Sequence, residues 1–123
     1  MKLQIAQSQG WNVFTAYGEG YVDVNAVRHG KNIVVTPERV IENWTAADFE
    51  SLSLADFNIL AALDAETILL GAGATLRFPR PELLAPLMRA RKGFEIMDNH
   101  AACRTYNILA GEGRKVAAAL ILG

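Results

Sequence analysis

The chain has 123 residues, 51% of them hydrophobic, so residues 1–123 read as a single domain with a core of its own. Its 12 basic and 13 acidic side chains give a net charge of -1, which lacks the basic excess that general nucleic-acid binding requires. With one cysteine, Cys103, an internal disulfide is excluded and a reducing compartment is the simpler expectation.

The N-terminal segment, Met1 to Gly10, has no apolar core of signal-peptide length. The longest apolar run, Val116 to Leu122, is far short of the roughly 20 residues that cross a bilayer as a helix. A cytoplasmic protein without a transmembrane segment is expected. Beyond this segment, Val13 to Tyr17 and Tyr21 to Val24 alternate as hairpin strands around Gly18-Glu19-Gly20, and Asn25-Ala26 marks another tight turn. Asn32 to Thr36 is β-branched and short, Pro37 blocks further ladder donation, and Val40 to Glu42 continues after the turn.

From Trp44 the hydrophobic period moves from two to 3.6. Leu54, Phe57, Leu60 and Ala61 predict a helix over 53–63, capped by Ser53 or Asp48. Thr67 to Leu70 is apolar on both sides, as in the middle of a covered sheet, and ends at Gly71-Ala72-Gly73. Residues 81–92 read as a helix whose first turn Pro86 disturbs, with Gly93 ending it. A strand over 94–97, a helix over 99–110 and a strand over 115–122 complete the chain. The fold expected is a three-layer α/β domain with a mixed, mainly parallel central sheet and an added N-terminal β-hairpin element.

The helix from Asn99 carries the chemically capable residues. At 100° per residue, Ala101, Ala102, Thr105, Ile108 and Leu109 share one side and are expected to face the core. Asn99, His100, Cys103 and Asn107 fall on the opposite side, with Arg104 and Tyr106 at its borders and Asp98 placed as N-cap. A catalytic thiol gains most from a helix's first turn, whereas Cys103 lies a full turn inside, so a semi-buried structural cysteine is the expectation. Two histidines, His29 and His100, and one cysteine offer no usual zinc spacing, and neither metal nor cofactor is expected. Gly71-Ala72-Gly73 is only half of a dinucleotide fingerprint, because Leu76 stands where a third glycine belongs.

Ligands of open α/β sheets favour the carboxyl ends of parallel strands, and Gly71 to Gly73 and Asp98 to His100 follow two such ends. The candidate crevice therefore joins Gly71, Gly73, Asp98, Asn99, His100, Cys103 and Asn107. A small anion bound at the helix start would have Arg77, Arg80 or Arg104 as partners.

The residues Glu95 to Asp98, Ala101 to Leu109 and Glu112 to Leu120, together with Ile33 to Pro37 and Leu69 to Gly73, resemble a widespread, largely uncharacterised family of small proteins. That family includes the mitochondrial respiratory complex I assembly factor and an adipogenesis-associated animal protein. The resemblance spans nearly the whole chain and implies the same three-layer fold. It also implies a non-enzymatic binding or assembly accessory role with a protein partner, such as respiratory-complex subunits. The alternative is a small-molecule enzyme or anion-binding sensor that uses the crevice. Trp11, Trp44 and Tyr17 would contact a partner only if exposed together.

Overall fold

In a computed structural model, which describes residue 3 and residues 10–122, the alternating N-terminal segments form a three-stranded antiparallel sheet. Its strands are β1 (Phe14–Gly18), β2 (Tyr21–Val24) and β3 (Val27–His29), in the order β1-β2-β3. A register shift between Phe14 and Ala16 breaks the period of two, so that Phe14 and Tyr17, three residues apart, both turn into the core. Asn25 and Ala26, at φ 50° and 67°, form the two-residue turn that leads into β3. The sequence reading does not contain β3, whose Val27 and Arg28 lie exposed. The reading of Met1 to Gly10 falls mostly outside the described residues.

The central sheet contains β4 (Ile33–Val35), β5 (Val40–Ile41), β6 (Thr67–Gly71), β7 (Gly93–Met97) and β8 (Val116–Leu120), in the order β5-β4-β8-β6-β7. β8, β6 and β7 run parallel, and β4 and β5 add antiparallel on one side. Every residue of β8 is buried, and its three alanines leave space for packing on both faces. Helices α1 (Leu54–Ala61) and α2 (Ala85–Arg89) cover one face, where Phe57, Leu60 and Leu87 meet Ile68, Leu70, Ala117 and Ala119. On the other face, α3 (Asn99–Gly111) and the three-stranded sheet enclose Phe14, Val22, Leu69, Tyr106, Ala118 and Leu120. The three-layer mixed α/β architecture is as expected. β6 to β7 and β7 to β8 step in opposite directions with their helices on opposite faces, as a single crossover hand requires.

Two boundaries differ from expectation. Residues 81–92 divide into a 3-10 turn, Pro81–Leu84, and α2, which restarts with Pro86 in its first turn, where a missing N–H leaves no helical bond unmade. Arg91, at φ 56°, ends this segment, and Gly93 is instead the first residue of β7. Both candidate caps are used: Asp48 accepts from Ser51 N in a preceding 3-10 turn, and Asp56 accepts from Ser53 N at 3.0 Å to close the start of α1.

The orientation of α3 needs a larger correction. Its buried side is Asn99, Ala102, Cys103, Tyr106 and Ala110, while Ile108 is 63% exposed. Helical periodicity alone assumes one covered side. Here α3 is covered from below by the central sheet and from the flank by β1, and the flank contact recruits polar side chains.

Gly71 marks the tightest point of this packing, since a Cβ there would run into Asn99 Oδ1 and Leu120 Cδ2. Gly71→Ala is expected to lower unfolding free energy by about 1–3 kcal/mol. Gly111→Ala, at a position with open space, should leave stability equal or raised. Urea titration of the two variants checks the contrast.

Candidate functional site

β6 and β7 are neighbours, with Gly71 opposite Met97, and the chain leaves them toward opposite faces of the sheet. Such a divergence is where open α/β sheets hold ligands. In this chain the side chain of Asn99 fills the divergence. Gly73, at φ 113°, turns its carbonyl to accept from Asn99 N at 2.9 Å, and its N–H donates to Asn99 Oδ1 at 3.2 Å. Asn99 Nδ2 donates to Ile121 O at 2.8 Å, so both ends of a 7% exposed amide are paired.

The residues around Asn99 are similarly committed. The Asp98 carboxylate caps α3 by accepting from Ala101 N at 2.9 Å, placing the chain's own negative charge at the helix start. The His100 ring stacks on Tyr17 with centroids 4.0 Å apart, and its Nε2 lies 3.3 Å from Gly18 O, a donor position in the Nε2–H tautomer. Arg104 donates from Nη1 to the Tyr17 hydroxyl at 2.9 Å. Asn107 behaves as a short strand would, donating to Phe14 O at 2.8 Å and accepting from Phe14 N at 2.9 Å. Cys103 is wholly buried, and that burial pushes its thiol up to about 12, out of the nucleophilic range near neutrality. Cys103, His100 and Asn107 thus occupy three separate environments rather than one constellation.

A crevice of about 850 Å³ opens beside Asn99, walled by residues 18–20, 46–50, 73–75 and the C-terminal Ile121-Leu122. Of the residues singled out from sequence, Gly73, Asn99, His100 and Arg77 line it. Gly71 lies beneath Asn99, and Asp98, Cys103, Asn107, Arg80 and Arg104 are not among the lining residues. Arg77 is held there by Ala72 O, to which Nε donates at 3.2 Å and Nη2 at 2.6 Å, and by Glu50 at 3.0 Å. Its guanidinium also lies over the Phe49 ring. Because Glu19, Asp48 and Glu50 line the same space, carboxylates outnumber the guanidinium and the local field disfavours an anion.

The wall at 46–50 was missed by sequence reasoning. It is positioned by Asn32, whose Nδ2 donates to Thr45 O at 3.1 Å and Ala47 O at 2.7 Å while Oδ1 accepts from Leu122 N at 2.8 Å. Nothing local to Asn32 signals these remote partners. Among the described residues, no group of three or more His, Cys, Asp and Glu side chains is arranged to hold a metal. Trp44 and Tyr17 are buried, so the aromatic contact surface is not formed.

Two outcomes follow from this geometry. Asn99→Asp exchanges the donor facing Ile121 O for an acceptor and should cost about 2 kcal/mol or more in urea unfolding. Below pH 9 the folded and unfolded chains both keep the Cys103 proton; above it only the unfolded thiol ionises, until about pH 12, so stability falls across that window. The urea midpoint should therefore decline above pH 9, and decline less in Cys103→Ala. The buried Tyr106 hydroxyl, also raised by desolvation, supplies part of the remainder.

Comparison with known proteins agrees with this architecture. A crystal structure of a Bordetella parapertussis protein superposes with a TM-score of 0.85 at 36% identity, covering 93% of this chain and 98% of that one. The 13 kDa major membrane protein of Francisella tularensis subsp. holarctica is 27% identical, over 98% of this chain and 99% of that protein. Bovine NADH dehydrogenase [ubiquinone] 1 alpha subcomplex assembly factor 3 is 24% identical, over 98% of this chain and 68% of that protein. The family described as "Protein of unknown function (DUF498/DUF598)" matches residues 14–121, and the chain belongs to it.

Proposed function

We propose that this protein is a non-enzymatic accessory protein that binds another protein, and that its partners are subunits of a respiratory complex during assembly. The observation that carries the reading is the commitment of α3: Asp98, Asn99, His100, Arg104 and Asn107 are joined to the chain's own backbone or rings, and Cys103 is sealed. A helix so used is a joint between layers. The similarity to a bovine NADH dehydrogenase [ubiquinone] assembly factor suggests the kind of partner.

Among the described residues no helix is long and apolar enough to cross a membrane. We place the protein in the cytoplasm, meeting its partner before or as that partner joins a membrane complex. The slightly negative net charge weighs against nucleic acid, and the acidic lining of the crevice weighs against the small anion as its ligand.

Deleting the protein from its native cells should lower the amount of fully assembled respiratory NADH dehydrogenase on native gels. The tagged protein at native level should co-purify with subunits of that enzyme in fixed stoichiometry. Unchanged assembly together with no stoichiometric partner would overturn the reading.

A further inference from the structure

β7 is an edge strand, bonded among the described residues to β6 alone. The bonds at its two ends, Gly93 N to Glu66 O and Ala72 N to Met97 O, set the phase of the ladder: Gly93, Glu95 and Met97 turn their backbone groups toward β6. Phe94 and Ile96 therefore point their N–H and C=O groups outward, and among the described residues nothing accepts or donates there. The strand has no proline and no bulge to blunt it, and its one charge is the exposed Glu95.

The flank of α3 nearest this edge is largely apolar. β1 flanks α3 on the side of His100 and Asn107, and the three-stranded sheet shares its core with Ile33 and Val35 of β4, across the sheet from β7. The other flank of α3, carrying Ala101, Thr105 and Leu109, therefore faces the β7 side of the sheet, with Ile108 at its outer border. Met97 packs toward this side, and Glu95, two residues away on the same strand, shares it. The stripe that periodicity assigned to the core is thus left partly uncovered beside an unpaired strand.

A second copy of this chain fits the edge poorly. An antiparallel two-fold pairing that uses both outward residues sets Phe94 against Ile96 of the second copy and brings Glu95 directly opposite its own counterpart, in the closer, non-hydrogen-bonded pair. Centring the pair on Phe94 instead requires the backbone N–H of Lys92, which already donates to Leu87 O. Centring it on Ile96 requires Asp98, whose carbonyl accepts from Ala102 N and whose side chain caps α3.

We propose that the outer edge of β7, on the side that the free flank of α3 faces, takes up one extended segment of a partner protein as a sixth strand, with a lysine or arginine facing Glu95 between β-branched neighbours that pair with Phe94 and Ile96. The backbone of the segment satisfies the outward groups, and its basic residue answers the charge that keeps copies of the chain apart. This proposal rests on the protein-binding reading above and names the surface that does the binding.

The full chain, labelled with 15N, is titrated with the blocked peptide Thr-Val-Lys-Val-Thr and with Thr-Val-Glu-Val-Thr, following amide shifts and hydrogen exchange. In the free protein the Glu95 amide should be protected and the Phe94 and Ile96 amides should not. The lysine peptide should protect the latter two and bind about tenfold tighter than the glutamate peptide, with the order reversed in Glu95→Lys. Equal binding of the two peptides, perturbations that avoid β7, or a wild-type dimer whose Phe94 and Ile96 amides are already protected would overturn the proposal. If a stoichiometric partner is found in cells and stays bound to the Glu95→Lys variant, this surface is wrong while the accessory role stands; if the edge binds as described but cells yield no partner, the accessory role fails instead.

Discussion

The side-chain amide of Asn99 sits where three chain segments must end together. Its donors and acceptor join the start of α3 to Gly73 after β6 and to Ile121 after β8. Ile121 N in turn donates to Gly71 O at 3.0 Å, so the end of β8 is fastened to the end of β6 on both sides of that amide. The absence of a Cβ at Gly71 is what lets Asn99 descend this far. In many α/β proteins the same position is an opening for a cofactor. Here an internal amide takes that place, which closes the end of the sheet while the crevice opens to one side.

That substitution explains why the helix invited a catalytic reading. A histidine, a cysteine and an asparagine spaced three and four apart are equally suited to a reacting group and to a joint, because both uses need directed polar atoms on a defined face. The joint is distinguished by what the polar atoms meet. Asn107 meets both backbone groups of Phe14, the Tyr106 hydroxyl donates to Asn12 O at 2.8 Å, and His100 meets a ring and a carbonyl. All these partners lie more than 80 residues away in sequence.

Legibility from sequence follows the same division. β6 and β8 could be read because strands buried on both faces are continuous apolar runs, and α1 because Leu54, Phe57, Leu60 and Ala61 repeat at helical spacing between polar residues. β3 could not, since Val-Arg-His at an exposed edge has no alternation to reveal it. The face of α3 was misassigned because Ile108 and Leu109 are more apolar than Tyr106 and Cys103, yet the latter pair are the ones enclosed between the layers. Of the candidate site, the meeting of Gly73 with Asn99 followed from topology. The wall built by residues 46–50 did not, because Asn32 creates it through contacts with no local trace.

The three-stranded sheet contributes no strand to the five-stranded ladder. Its attachment runs through side chains of α3, a shared apolar layer and, just before β1, the bond from Asn12 N to Pro37 O at 2.9 Å, so lifting it away would leave every hydrogen bond between β4, β5, β6, β7 and β8 intact. The three-stranded sheet is therefore a lid of antiparallel strands clipped to one helix of an open five-stranded sheet, with one buried layer shared between them. Changes at the lid's edge strand β3, whose Val27 and Arg28 are exposed, leave the register of the central sheet untouched, whereas Val22 and Val24 of β2 are tied to the shared core.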